Sequence, residues 1–133
     1  MMLVDTNVLL DIVTDDPLWA AWSAARLALS LTDGLVAIND VVYAELSVRF
    51  AGIDEVDATI GEVGLVVDPI PREALFVAGK AFQAYRRAGG VRTGVLPDFF
   101  IGAHAVARGW PLLTRDPARY RTYFPTLALV SPD

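Results

Sequence analysis

Apolar residues along this chain fall into short runs and into helical stripes, and the two kinds of segment alternate from one end to the other. Met2-Leu3-Val4 reads as a short buried strand, and Asn7-Val8-Leu9-Leu10-Asp11-Ile12-Val13 turns helical directly after it. Asp16-Pro17 has the form of an N-cap followed by proline in the first helical position, which predicts a helix to about residue 30. A second apolar strand is expected over 34–38, after which Asn39 or Asp40 caps a helix to about residue 50. Asp54 can cap another helix to about residue 63, 65–67 reads as a strand, and Pro71-Arg72-Glu73 opens a long helix that ends near Gly89-Gly90. Pro97 starts a further helix that Gly109 ends, followed by a strand over 112–114, a helical turn over 117–123 and a last strand over 127–130. Strands alternating with helices imply crossover units. The expectation is one α/β domain over 1–133, with a mostly parallel central sheet of four to five strands and helices on both faces.

Composition narrows the class. At 133 residues and 54% hydrophobic the chain has enough apolar material for a core, and a domain of this size buries roughly two thirds of its unfolded surface. The longest stretch without Asp, Glu, Lys or Arg is eleven residues, 122–132, whereas a membrane span needs about 20. The amino terminus lacks a basic segment and meets a carboxylate at Asp5, so it does not read as a signal peptide, and a soluble cytoplasmic protein is expected. With no Cys, a metal would have to be held by oxygen ligands or by the single His104. Surface covered by another chain would explain the apolar excess.

Net charge, −5, conceals an asymmetry. Residues 1–71 carry twelve acids and two bases, a balance of −10, while 72–133 carry four acids and nine bases, a balance of +5. Such a division suggests carboxylates concentrated in one place and an anion met in another.

Four carboxylates stand out by position. In open parallel sheets ligands bind outside the carboxyl ends of the strands, and Asp5 ends the first strand while Asp116 follows the strand that closes at Thr114. Glu45 shares a helical stripe with Val41, Val42 and Val48, so its side chain is expected to face the core. Asp98 sits in the first turn of its helix, where free amides stabilise an anion, and Gly102 and Ala105 on the same face allow close approach of the sheet. Read singly, these residues have ordinary roles as a turn, a half-exposed side chain, an N-cap and an Asp-Pro turn. Gathered in one pocket they would repel and raise one another's pKa unless a cation were present, and hard divalent metals accept such all-oxygen sites.

At this point the sequence resembles the PIN-domain ribonucleases, and within them the VapC-type toxins of bacterial toxin–antitoxin pairs. Four segments carry the likeness, in the family's order: Leu3-Val4-Asp5-Thr6-Asn7-Val8-Leu9-Leu10-Asp11, Tyr43-Ala44-Glu45-Leu46, Pro97-Asp98-Phe99-Phe100-Ile101-Gly102-Ala103-His104-Ala105 and Leu112-Leu113-Thr114-Arg115-Asp116. The resemblance implies a PIN-like three-layer fold in which Asp5, Glu45, Asp98 and Asp116 form an acidic quartet binding Mg²⁺ or Mn²⁺. Asp5 and Asp98 would be direct ligands, Glu45 and Asp116 direct or through water, with Thr6, Asn7 and Thr114 orienting them. It further implies hydrolysis of an RNA phosphodiester, with Asp116 or Glu45 accepting the proton of the attacking water and ends of the 3′-hydroxyl, 5′-phosphate type. A specific structured RNA such as tRNA or rRNA, a cognate VapB-like antitoxin and a homodimer are the implied partners.

The basic half then has two readings. Arg86, Arg87 and Arg92 flank Ala88-Gly89-Gly90 just before Asp98, and Arg115 adjoins Asp116, so these cations could receive RNA phosphates; equally, a solvated helix end favours Arg for the helix dipole. His104, six residues beyond Asp98 and roughly 240° around the helix, points away from it and reads as a packed or hydrogen-bonded side chain. Trp19, Trp22, Leu27, Leu29, Phe76, Phe82 and Tyr85 read mainly as core, some of them as a homodimer face or an antitoxin groove. Two rival functions stay open: a non-catalytic PIN-like binding module, and a haloacid-dehalogenase-like phosphatase, whose motif needs a second Asp where this chain has Asn7.

Overall fold

The computed structural model describes every residue except Thr93 and Asp133. At its centre lies β1 (Met2–Val4), whose Leu3 and Val4 are fully buried. Leu3 pairs with Ala37 of β2 (Val36–Ile38) on one side and with Leu112 of β4 (Leu112–Leu113) on the other. Ala37 pairs in turn with Val66 of β3 (Val66–Val67), and Leu112 with Leu129 of β5 (Leu129–Val130), giving an all-parallel sheet in the order β3-β2-β1-β4-β5. The expected sheet is therefore present at the upper strand number. The three inner strands are almost entirely buried, which requires cover on both faces and accounts for their continuous apolar runs.

Seven helices provide that cover among the described residues. Helices α1 (Thr6–Val13), α2 (Ala20–Asp33), α3 (Asp40–Ser47) and α4 (Ile53–Val63) lie in the β1-to-β3 half of the chain. After β3 the chain crosses back to the other side of β1 through α5 (Arg72–Arg87) and α6 (Leu96–Arg108), and α7 (Ala118–Tyr123) joins β4 to β5. Right-handed crossovers running in opposite directions put the two groups of helices on opposite faces. The reversal makes the gap between β1 and β4 a switch point, where the loops leaving two adjacent strands diverge and leave a crevice.

Local chemistry sets the helix ends, with some differences from expectation. Asp16 does accept from the amides of Leu18 and Trp19, both at 2.9 Å, but the turn it closes precedes α2, which becomes regular only at Ala20. Asn39 is the cap of α3, accepting from Val42 N at 3.0 Å. The same helix stops at Ser47, whose hydroxyl bonds back to Tyr43 O at 2.7 Å, and the chain leaves in tighter turns. Val48 is consequently 83% exposed, so the core-facing stripe proposed for Glu45 is corrected: only Val42 of that set is fully buried, and Glu45 is half-buried at the rim. Gly52, not Asp54, precedes α4 as its cap. Leu29 and Phe76 (67% exposed) lie outside the core, whereas Leu27 is inside it and Trp22, Phe82 and Tyr85 pack against it. No helix is long and apolar enough to cross a membrane among the described residues.

An aromatic cluster fastens α7 to α5 and α6. The Phe99 ring lies 5.2 Å from Tyr123, 5.7 Å from Tyr85 and 6.3 Å from Phe124, centroid to centroid. Gly102 of α6 makes this possible, because a Cβ there would fall 2.5 Å from the Phe124 ring and 3.1 Å from that of Tyr120. Gly102→Ala should therefore cost about 1–3 kcal/mol of stability through overpacking, read as a lower urea midpoint; an unchanged midpoint would contradict this packing.

Candidate functional site

β1 runs out at Val4, and the next residue turns its side chain into the crevice above the β1–β4 gap. Asp5 is held there from both strands. Its amide donates to Leu113 O at 2.9 Å, and its carboxylate Oδ2 accepts from Thr114 Oγ1 at 2.9 Å and Tyr120 Oη at 2.8 Å, with Asn7 Nδ2 at 3.4 Å. Thr114 is a relay: its hydroxyl donates to Asp5 while accepting from Asn7 Nδ2 at 3.3 Å and from the amide of Asp116 at 3.1 Å. Asn7 closes the ring by accepting from the amide of Arg115 at 3.2 Å. Thr6, beside Asp5, donates to Glu45 Oε1 at 2.7 Å and so ties α3 to the start of α1. Thr6, Asn7 and Thr114 thus sit in contact with the carboxylates, or with the loops that carry them.

Asp98 arrives from the other face, in the first turn of α6, and its Oδ2 accepts from Nη1 of Arg119 on α7. Consecutive residues of one short helix therefore meet two carboxylates, Arg119 at Asp98 and Tyr120 at Asp5. Neither stood out in the sequence, where Asp116 drew attention to Arg115; a helical turn beginning just past Asp116 was the available signal. Arg115 itself is committed elsewhere. Its guanidinium makes a two-point contact with Asp11, at 2.7 and 3.0 Å, and lies over the Trp19 ring. Arg86 and Arg87 occupy the exposed last turn of α5, with Arg86 over the Phe82 ring, and the exposed Arg92 donates its amide to Tyr85 Oη.

Electrostatics show how crowded the acids are. Asp5 is only 4% exposed, and burial, reinforced by the charge of Asp98, raises its pKa from 3.8 to about 6 despite the hydrogen bonds from Tyr120 and Thr114. Burial also raises Asp98, with Glu45 and Asp116 adding to the effect and Arg119 opposing it. Burial and the charges of Asp5, Asp98 and Glu45 push Tyr120 well above its usual range, so its hydroxyl stays a donor. Asp98 thus links four distant segments, since its charge acts on Asp5 while the charges of Glu45 and Asp116 act on it.

His104 lies outside this network. Fully buried, it meets Asp68 at 2.7 Å through Nε2, and Arg108 joins the same carboxylate at 2.9 Å. Burial works to raise Asp68, but these hydrogen bonds prevail and lower it. The trio pins α6 to the exit of β3.

Among the described residues no three acidic or histidine side chains close on one point tightly enough to hold a metal unaided. The donor chemistry nonetheless fits a hard divalent cation, since every side-chain donor is an oxygen and Mg²⁺ commonly takes one or two carboxylates and completes its shell with water. Asp5 and Asp98 are the residues that would hold it, with Glu45 and Asp116 at the rim.

A doubly wound parallel domain with an acidic crevice at its switch point is the class that fold and site define. The model of the PIN domain family matches residues 2–125, and the chain belongs to that family. Similar solved structures include VapBC2 from Rickettsia felis bound to a promoter DNA fragment, with a TM-score of 0.74 and 20% identity over 99% of this chain and 98% of that one. VapBC-1 from nontypeable Haemophilus influenzae gives 0.72 at 15% identity, covering 98% and 96%. DNA-bound VapBC from Salmonella typhimurium gives 0.70 at 19%, covering 98% of each. At such identities the likeness is one of fold. A search of curated proteins finds no match.

The raised Asp5 has a signed consequence. Between about pH 4 and 6 the folded state keeps a proton that the unfolded chain has released, so stability falls as pH rises through this window, by up to roughly 3 kcal/mol. Asp5→Asn keeps an acceptor for Tyr120 and removes the charge. In urea titrations it should match the parent near pH 4 and exceed it in stability at pH 7.5; a variant weaker at both values would contradict this.

Proposed function

We propose that this chain is the toxin of a VapC-type toxin–antitoxin pair, a metal-dependent endoribonuclease that hydrolyses phosphodiester bonds of a structured RNA such as tRNA or rRNA. The observation that carries this reading is the nearly dry carboxylate of Asp5, placed where Asp98, Glu45 and Asp116 all bear on one crevice. A protein that needed only stability would not assemble this repulsion. Membership of the PIN family and the likeness, over nearly the whole length, to chains from VapBC toxin–antitoxin complexes support the reading.

In this proposal Asp5 and Asp98 would hold Mg²⁺ or Mn²⁺ directly, and Glu45 and Asp116 would be ligands directly or through water. Such an ion supplies positive charge that makes a nearby water more acidic and offsets charge growing on the scissile phosphate. The chain's own residues do the rest. Thr114, Tyr120 and Asn7 fix the Asp5 carboxylate, and Thr6 fixes Glu45. Asp116, exposed at the rim, or Glu45 accepts the proton of the attacking water. The products carry 3′-hydroxyl and 5′-phosphate ends.

Arg86, Arg87 and Arg92 are the cations proposed to meet RNA phosphates. Arg115, paired with Asp11, is a weaker candidate for that task and serves to brace the loop after β4. The proposed partners are a VapB-like antitoxin and a second copy of the chain, and the proposed setting is the cytoplasm. Exposed Leu29, Phe76 and Val48 are apolar surface that such contacts could cover.

Incubation of the purified protein with total bacterial RNA and Mg²⁺, followed by sequencing of the new ends, tests the reading. Cleavage at few positions is expected, abolished by a chelator and lowered at least about a hundredfold by Asp98→Asn. Equal cleavage by the variant, or none by the parent with either metal, would overturn it.

A further inference from the structure

One cation already sits in the acidic crevice, and it belongs to the chain. Arg119 places Nη1 on Oδ2 of Asp98. Its position is set by its neighbours along α7. Tyr120, 1% exposed, anchors the helix by donating to Asp5, and Tyr123 and Phe124 seat it on Phe99. The backbone carrying Arg119 is thus fixed by packing, while its side chain stays about a quarter exposed to water. Arg115 is bound by Asp11 and Arg108 by Asp68, so neither pairs with Asp98.

We infer that Arg119 is a resident counter-ion of the acidic crevice, occupying Asp98 until a divalent cation takes the carboxylate from it. The inference rests on the proposed metal-dependent function and adds a residue to it. Two positive groups cannot share one partly buried carboxylate without repulsion, and an oxygen that accepts an N–H from a guanidinium has given up a lone pair that a metal would use. Arg119 therefore stabilises the metal-free fold and weakens metal uptake by the same contact. It is a positioning residue, acting through Asp98.

Titration calorimetry with Mn²⁺ alone, on the intact chain without RNA, reads this directly. Arg119→Gln, which removes the charge from a partly exposed side chain, should bind Mn²⁺ about tenfold more tightly than the parent. Arg119→Lys retains the charge and should stay within about twofold of the parent. In the absence of metal Arg119→Gln should also melt lower than the parent, and saturating Mn²⁺ should narrow that difference. Unchanged or weaker binding by Arg119→Gln overturns the inference, as does equal tightening by Arg119→Lys, which would show that charge is not the cause. A parent chain that binds Mn²⁺ and cuts RNA while Arg119→Gln binds no better brings down this inference alone. A parent that neither binds nor cuts brings down the proposed function with it.

Discussion

Repulsion among carboxylates at one edge of a parallel sheet is the constraint around which this molecule is arranged. Asp5 lies at the centre, almost wholly withdrawn from water, and its ionised form is tolerated only because three donors converge on a single oxygen. Each donor comes from a different part of the chain. Thr114 follows the neighbouring strand, Tyr120 projects from the last helix, and Asn7 belongs to the turn that Asp5 itself opens. The strands β1 and β4 and the helices α1 and α7 are therefore coupled through one carboxylate, whose desolvation is a cost the fold carries, leaving its pKa raised to about 6. Natural sites hold such a cost where chemistry requires it.

The same constraint explains the distribution of positive charge. The basic half of the chain does not surround the acids evenly. Arg115 is paired with Asp11 and Arg108 with Asp68, and among the described residues only Arg119 makes an ion pair with a member of the quartet. Packing makes this distribution specific: Gly102 lets Tyr120 and Phe124 lie against α6, and that contact sets where α7 runs and which of its side chains face the crevice.

Much of this was legible in the chain. Strands β1 and β4 are continuous apolar runs because both faces of the sheet are covered, and the residues that leave them, Asp5 and Thr114 with Asp116 beyond, fall at the carboxyl edge by topology alone. Asp98 was legible for a similar reason, being in the first turn of a helix opened by Pro97. Less legible was anything decided by contacts across long sequence distances. Glu45 looked inward on a helical stripe, but α3 ends one residue before Val48, and the hydroxyl of Thr6 is what engages Glu45 at the rim. Adjacency to Asp116 draws attention to Arg115, yet the bond from its amide to Asn7 accompanies a guanidinium turned toward α1, while Arg119, four residues later on α7, reaches Asp98. Periodicity reports a residue's face on its own element and is silent about the partner that face will meet.

The central claim is that this crevice exists to hold a divalent cation between chain segments that otherwise repel. Crystals soaked in Mn²⁺ and measured at a wavelength where manganese scatters anomalously would test it most directly. The account predicts an anomalous peak within coordination distance of Asp5 and Asp98, with the Arg119 guanidinium displaced from Asp98. A featureless crevice at saturating Mn²⁺, or a peak only on some other face of the molecule, would contradict it.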